Sequence, residues 1–245
     1  MISFEQGKAI FVENSLEYSR EIHEKFEIYC NFMVEYNKNV NLTAITEPEE
    51  IWLKHFADSI LLMKYVDIPE NASLIDIGTG AGFPSVPLKI YRNDIKLTML
   101  DSLNKRIRFL NELCERLSIE TETVHGRAEE YGRKAEFRER YDIAVARAVA
   151  SMPSLSEYCL PFVKTGGIFA AMKGPNEDAG NAENAVKILG GEKIRVYDYL
   201  LGKDDRRKIF YVKKISHTPT KYPRNGGQIK NKPCLLYTSP SPRDS

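Results

Sequence analysis

Residues 74–84 constrain the fold of this chain more than any other segment. Leu74 to Ile77 suit a buried parallel strand, and they lead directly into three glycines at alternate positions. A segment with helical character begins near Pro84. Glycine lacks Cβ and accepts positive φ, so a strand, turn and helix of this kind let a nucleotide approach the backbone closely. The segment therefore predicts a nucleoside-binding α/β fold.

The spacing of the glycines favours S-adenosylmethionine over a dinucleotide. A dinucleotide fingerprint has its third glycine three residues after the second, where this chain has Phe83. Here Gly78 and Gly80 belong to a GxGxG pattern, and Asp76 lies two residues before its first glycine. That pattern suits a ligand with a ribose, an adenine and an amino-acid head but no pyrophosphate.

A second acidic residue follows the next predicted strand. Ile95 to Leu100 form a short apolar run that ends in Asp101, 23 positions after Gly78. In Rossmann-like folds an acid about 20 residues beyond the first glycine binds the ribose hydroxyls. Asp101 or Ser102 is also a plausible N-cap of the helix that follows. The two roles of Asp101 are compatible, and the spacing favours ribose binding.

Short apolar runs alternate with helical segments after residue 70, which predicts a parallel, doubly wound sheet. The five predicted parallel strands are 74–77, 95–100, 121–124, 143–146 and 168–172. Two further runs, 193–201 and 208–213, are joined by a turn short enough to connect only antiparallel neighbours. We therefore predict the α/β fold of the S-adenosylmethionine-dependent methyltransferases: a Rossmann-like seven-stranded sheet, parallel with an antiparallel last strand.

Residues before the sheet predict an N-terminal helical extension. Apolar side chains recur with helical period between Tyr18 and Met33. A further helix is expected to begin with Thr46 as its cap and Pro48 in its first turn, and to end near Tyr65. The predicted units are a helical extension (1–70), a methyltransferase core (71–216), a basic tail (217–233) and a non-native tail (234–245).

The last twelve residues have no periodicity and contain several turn formers in succession. They resemble translated vector or adapter sequence, with a genuine disordered tail as the alternative.

Charge is distributed unevenly along the chain. From Lys203 onward there are 11 Lys or Arg against 3 Asp or Glu, whereas the preceding 202 residues hold 24 against 31. A basic end on an acidic body is suited to a phosphate backbone, and it is equally suited to a solvated tail.

Other features exclude several classes of protein. The longest apolar run is far short of a membrane span, and no basic-then-apolar leader precedes residue 13. Four widely separated cysteines without a CxxC pair favour reduced, buried thiols over disulfides or a zinc site. We expect a cytoplasmic protein with no metal and no membrane contact, and a monomer by default.

Several motifs together resemble the bacterial small-subunit ribosomal RNA guanine-N7 methyltransferase family, known as RsmG or GidB. They cover nearly all of residues 15–225, and the His-Phe-x-Asp-Ser and Ala-Arg-Ala segments belong to no general methyltransferase pattern. The matching stretches are 41–45, 55–59, 76–84, 100–102 with 105–106, 127–130, 146–148 with Ser151, and 173–174. The chain departs from the family after Arg224, where the family has a short basic tail.

The resemblance implies methyl transfer from S-adenosylmethionine to N7 of one guanine in 16S ribosomal RNA of the small ribosomal subunit. N7 carries a free lone pair and no proton, so no general base has to act before attack. Positioning of the two reactants then suffices, and no catalytic side chain is assigned.

The resemblance also implies roles for individual residues. The cofactor-binding set is Asp76, Gly78, Gly80, Phe83, Asp101, Ala128, Glu129 and Arg147. Ala128 and Glu129 would bind the adenine, although without the resemblance a helix N-terminus is the simpler interpretation of Glu129. The RNA-binding set is Arg147 and Lys173 from the family segments, together with Arg206 and Arg207 from the basic end, with a flexible loop lysine as the alternative for Lys173.

Arg147 has the sharpest alternatives. It ends an apolar strand, where an unpaired guanidinium is costly to bury unless it meets an anion. That anion is the methionine carboxylate or an RNA phosphate, or it is an internal partner such as Asp76 or Asp142. His55 and Asp58, three residues apart, are expected to hold the extension against the core.

Two other functions remain open from the sequence. One is methylation of a small molecule or protein, which the basic end and the family segments disfavour. The other is a non-catalytic ribosome-binding protein, which would have no need of the intact glycine turn together with Asp101.

Overall fold

A computed structural model of the chain describes residues 1–179 and 182–233. Seven strands form one sheet in the order β3-β2-β1-β4-β5-β7-β6. The strands are β1 Ser73–Ile77, β2 Lys96–Asp101, β3 Glu122–His125, β4 Tyr141–Arg147, β5 Val163–Lys173, β6 Arg195–Leu201 and β7 Asp205–Lys213. The first five are parallel, and β7 lies antiparallel between β5 and β6. The predicted fold class is confirmed, and the predictions made for residues 234–245 concern a segment outside the described residues.

Helices cover both faces of the sheet. They are α1 Phe4–Glu13, α2 Arg20–Asn37, α3 Pro48–Ile51, α4 Asp58–Leu61, α5 Ser85–Tyr91, α6 Asn104–Leu117, α7 Ala128–Tyr131, α8 Met152–Cys159, α9 Glu183–Ile188 and α10 Gly226–Asn231. Alternate residues of β1 face opposite cores: Leu74 packs with α2, α5 and α6, whereas Ile75 packs with α8 and α9. The outcome is a three-layer α/β/α arrangement.

The N-terminal helices share one hydrophobic core with the sheet. Phe26 of α2 stacks on Phe56 with ring centroids 4.2 Å apart, and both side chains are fully buried beside core residues such as Leu74. Aromatic packing of this kind stabilises through buried area and ring geometry. Our division of the chain near residue 70 and near residue 217 stays a prediction.

The segment after Thr46 differs from the predicted regular helix. Its N-cap is Glu47, which makes no side-chain capping bond, so the expected cap at Thr46 is wrong. A π-helical turn, Trp52–Ala57, interrupts the α-helix, and a 3₁₀ turn ends it at Lys64. A π turn inserts one residue into the helical repeat and has no local sequence signal. Both His55 and Asp58 are buried.

Other boundaries shifted by a few residues. β5 begins five residues earlier than predicted, at Val163, which pairs with Tyr141 of β4 before a register shift, and its continuous pairing with β4 and β7 starts at Ile168. Cys30, Cys114 and Cys159 are buried free thiols, as expected, and Cys234 lies outside the described residues. In the part of the chain that the structure describes, no helix is long and apolar enough to cross a membrane.

Candidate cofactor and substrate site

The turn after β1 has the backbone that its glycines allow. Gly78, Gly80 and Gly82 have φ of +69°, +61° and +94°. The N–H groups of Gly78 and Thr79 donate to the carbonyl of Leu100 at the end of β2, at 2.8 and 3.2 Å. A Cβ at Gly80 would meet no atom closer than 4.0 Å, so this position faces open space. The turn therefore presents bare backbone to a ligand.

Asp76 lies beneath the turn and away from the clefts. Its carboxylate is fully buried, and its Oδ2 accepts hydrogen bonds from Thr79 Oγ1 (2.8 Å) and Ser85 Oγ (2.5 Å). Burial raises the pKa of Asp76 to about 7. Asp76 thus fixes the turn to the start of α5, and its predicted contact with the cofactor stays untested.

Asp101 joins the glycine turn to α6. Its Oδ2 accepts from the Gly80 N–H at 3.0 Å and from Arg106 Nη1 at 3.3 Å, and its Oδ1 accepts from the Leu103 N–H at 2.9 Å. Leu103 is the N-cap of α6, so the expected cap at Asp101 or Ser102 is wrong. A carboxylate offers about four lone-pair directions, so one acceptor direction is left for a ribose hydroxyl.

A cleft of about 690 Å³ extends from Asp101 to α7 along the carboxyl edge of the sheet. Its lining includes Gly78 of the turn, and Ala128 and Glu129 at the start of α7. It lies within the usual size range of small-molecule sites. Open backbone, a carboxylate and a cleft of this size fit a nucleoside cofactor. The Val149 side chain covers Gly78 at the edge of this cleft, since a Cβ at Gly78 would be 2.9 Å from Val149 Cγ2.

A second cleft of about 380 Å³ lies on the other side of the glycine turn. Phe83 lines it and is stacked between two rings, with its centroid 5.2 Å from Tyr29 and 4.4 Å from His55. The Tyr29 hydroxyl donates to the carbonyl of Ala81. Helix α2 therefore supports the turn from the N-terminal side, through a contact that the sequence does not signal.

Arg147 is the centre of a buried network. Its guanidinium donates to Asp58 Oδ2 (3.3 Å), to the Lys54 carbonyl (3.1 Å) and to His55 Nδ1 (3.1 Å). It also lies 4.8 Å from the ring centroid of Phe83. The internal partner is thus Asp58, and neither Asp76 nor Asp142, the two candidates for an internal partner, pairs with Arg147. Asp142 instead bonds Ser73 and Lys164.

The same network sets the protonation of its neighbours. Burial and the Arg147 charge lower the pKa of His55 to about 3, so the imidazole is neutral at pH 7. His55 Nδ1 lies 3.1 Å from Arg147 Nη2 and 3.2 Å from the Lys54 carbonyl, and its Nε2 lies 2.9 Å from Thr43 Oγ1. Burial raises the pKa of Asp58, although the positive charge of Arg147 and the hydrogen bond from Tyr199 both act to lower it. Tyr199 was not predicted to belong to the site, because no motif surrounds it in the sequence.

A third cleft, of about 380 Å³, lies beyond Arg147 between the ends of β4 and β5 and the β6–β7 hairpin. Lys173 lines it, is 9% exposed, and donates to the Ala150 carbonyl. Its Nζ is 3.6 Å from Glu177 Oε1, so it is not a free loop lysine. Arg207 also lines this cleft and donates to Asp205 at 2.5 Å. Arg206, the next residue along β7, is exposed and lies outside the cleft.

One loop separates the three clefts. Val149, between β4 and α8, lines all of them, and Ala148 in the same loop has φ of +54°. The loop of residues 148–151 would therefore separate a ligand in either cleft beside the glycine turn from a ligand in the third cleft. Within the described residues, no group of three or more His, Cys, Asp or Glu is placed to hold a metal ion.

The sheet order, the open glycine turn, the acid at the end of β2 and the cleft beside them define a Rossmann-like, S-adenosylmethionine-dependent methyltransferase. Comparison with known proteins supports this class and narrows it. The chain matches the model of the GidB family, rRNA small subunit methyltransferase G, over residues 22–209, and it belongs to that family.

Proteins of the same family are similar in sequence to this chain over most of its length. The ribosomal RNA small subunit methyltransferase G of Acetivibrio thermocellus is 50% identical over 213 residues, 86% of this chain and 88% of the relative. That of Desulforamulus reducens is 47% identical over 212 residues, 85% of this chain and 88% of the relative. A solved S-adenosylmethionine-dependent O-methyltransferase from Thermotoga maritima has a TM-score of 0.52 at 14% identity, covering 76% of this chain and 72% of its own. That structural similarity shows the fold alone.

Proposed function

We propose that this protein transfers a methyl group from S-adenosylmethionine to N7 of a guanine in 16S ribosomal RNA. The main support is that the nucleoside-sized cleft beside Asp101 meets the third cleft at the loop of residues 148–151. The third cleft is lined by Arg147, Lys173 and Arg207. Membership of the rRNA methyltransferase G family supports RNA as the substrate. We further propose that the protein acts as a monomer on the small ribosomal subunit, in the cytoplasm.

The cofactor's adenosine end would lie in the larger cleft. Asp101 has one acceptor direction left for a ribose hydroxyl, and its bond to the Gly80 N–H fixes the carboxylate. At the start of α7, the Ala128 N–H would bond an adenine nitrogen while the Glu129 carboxylate accepts from the exocyclic amine. The amino-acid head would then reach the smaller cleft beside Phe83 and Arg147.

The chemistry requires position more than proton transfer. When bound, S-adenosylmethionine supplies an electrophilic methyl group on a sulfonium, with a neutral leaving group. Guanine N7 has a free lone pair, so the chain's residues have only to align the reactants and exclude water. Neutral His55, stacked on Phe83, adds no positive charge beside the reacting centre.

The guanine would occupy the cleft beyond Arg147. Arg207 at its rim suits an RNA phosphate. Lys173 would act through the loop, because its ammonium holds the Ala150 carbonyl. Arg147 would position the cleft on each side of the loop of residues 148–151, since it lines both clefts and fixes the end of β4 against Asp58.

Methyl transfer to isolated RNA and to subunits tests the proposal. The full chain would be incubated with S-adenosylmethionine labelled on its methyl group and with 16S rRNA, either naked or in small subunits, from cells lacking this modification. We expect label in 16S rRNA and none in 23S rRNA. Absence of label from both forms of 16S rRNA would overturn the proposal.

A further inference from the structure

The C-terminal strap, residues 218–233, is held against the core by a buried ion pair. Arg224 Nη2 donates to Glu157 Oε2 at 2.6 Å, while its Nε and backbone N–H donate to Oε1 at 2.9 and 2.8 Å. The Glu157 side chain, on α8, is fully buried. A bidentate pair of this geometry fixes the direction of the chain as well as its distance.

Two further guanidinium groups clamp the backbone of the strap. Arg138 donates to the carbonyls of Thr218 (2.6 Å) and Tyr222 (2.9 Å). Arg133 donates to the carbonyl of Pro223 at 2.8 Å. These contacts lie 80 to 90 residues apart in the chain, so they determine a tertiary path and not a local turn. The strap is therefore an ordered part of the core, although its composition resembles a solvated tail.

The strap ends over the candidate cofactor cleft. Gly226, Gly227 and Lys230 of α10, together with Pro233, line the cleft opposite Gly78 and Asp101. Asn225 caps this short helix by accepting from the Gln228 N–H at 2.9 Å, and Ile229 is fully buried. The cleft that contains the Asp101 carboxylate thus has one wall formed by residues 226–233.

Gly226 is in direct contact with Glu129. A Cβ at position 226 would overlap Glu129 Oε1, whereas a Cβ at position 227 would meet nothing closer than Asn225 Oδ1 at 3.5 Å. The Glu129 carboxylate is therefore held between α7 and the strap, and its side chain is only 11% exposed.

We propose that the strap is a wall of the adenosine end of the cofactor cleft and that Gly226 is a positioning residue, which sets cofactor affinity by holding the Glu129 carboxylate. The inference rests on the proposed function only in taking this cleft as the cofactor site. A hydrogen-bond acceptor held in place before binding loses less conformational freedom when the ligand arrives. The strap also keeps water from one side of the nucleoside.

The variants Gly226→Ala and Gln228→Ala test the proposal. Gln228 lies on the same helix, is exposed and is outside the lining of the cleft. Both variants place alanine in α10, where it is a better helix former than glycine and at least as good as glutamine, so both should fold with the Tm of the native chain or above it. Only Gly226→Ala displaces Glu129, because the atom in its way is the movable end of a side chain. Titration calorimetry with S-adenosylhomocysteine measures binding without turnover.

We expect Gly226→Ala to weaken binding of S-adenosylhomocysteine about tenfold, as for loss of one oriented hydrogen bond to a charged group, and Gln228→Ala to leave it unchanged. In a Glu129→Ala background, Gly226→Ala should have no further effect, since contacting residues are not additive. Native affinity in Gly226→Ala, or an undiminished effect in the Glu129→Ala background, would overturn the inference. If the native chain bound no S-adenosylhomocysteine, the proposed function itself would fail.

Discussion

Arg147, the last residue of β4, donates to Asp58 across 3.3 Å and so ties the ligand edge of the sheet to the N-terminal helices. The Asp58 side chain is 3% exposed and accepts a second hydrogen bond from Tyr199 at 2.6 Å. Arg147 also lines the clefts on both sides of the loop of residues 148–151. This ion pair therefore joins the N-terminal helices to the two clefts that Arg147 lines.

Replacement of Arg147 should affect both stability and activity. Arg147→Ala leaves Asp58 buried without its cation, which should cost about 3–5 kcal/mol of unfolding free energy. The remaining folded protein should lose most methyl transfer. Arg147→Lys should recover little transfer, because a point ammonium cannot serve Asp58, His55 and the Lys54 carbonyl at once. Denaturant unfolding and single-turnover methylation on the same samples measure the two effects.

Activity of the folded fraction decides the role of Arg147. If folded Arg147→Ala transferred methyl groups at the native rate, Arg147 would be a structural residue only. Asp58→Asn is the matched control, since it removes the charge of the partner and keeps Arg147 at the clefts.

Asp101 should be required for cofactor affinity. Asp101→Ala removes the acceptor left for the ribose and also frees the Gly80 and Leu103 N–H groups. We expect S-adenosylmethionine binding to weaken by roughly 1.5–3 kcal/mol, as for a hydrogen bond to a charged group. Titration calorimetry measures this loss, and NAD should give no binding heat with either protein. Unchanged affinity would restrict Asp101 to a structural link between the turn and α6.

The parts of this site that were predictable are local in sequence. The glycine turn and the acid at the end of β2 each follow from a short motif, because the strand, turn and helix are contiguous. The partner of Arg147 lies 89 residues away in the chain, on α4 directly after a π turn. The path of the strap depends likewise on Glu157, 67 residues from Arg224. Long-range pairing of this kind cannot be derived from periodicity or composition.

Asp76 should make stability fall as pH rises. Burial raises the pKa of Asp76 to about 7 in the folded protein, against an ordinary value of 3.8. Between these values the folded state keeps a proton that the unfolded state has lost, so the contribution of Asp76 is full below about pH 4 and is lost as the pH approaches 7. The Tm of Asp76→Asn relative to the native chain should therefore rise between pH 4 and pH 7 and level off above. A difference that is constant with pH would contradict this account.

Arg207 should contribute to the salt dependence of RNA binding. Each phosphate contact releases counterions, so Arg207→Ala should reduce the slope of log K against log salt by about 1. Arg206→Ala is the matched control, because it removes the same charge one residue away, outside the cleft. Filter binding to 16S rRNA at several salt concentrations measures both slopes. Equal slopes for the two variants would place the phosphate contact elsewhere.

Methylation of a guanine at N7 can be tested by finding which atom of the RNA carries the new methyl group. N7 methylation makes the guanosine labile to borohydride followed by aniline, whereas methylation of other base atoms or of the ribose does not. After reaction of the chain with unmodified 16S rRNA or small subunits, primer extension should find one new cleavage, at a guanine, that requires S-adenosylmethionine. Methyl label incorporated into 16S rRNA without any aniline cleavage would contradict the account.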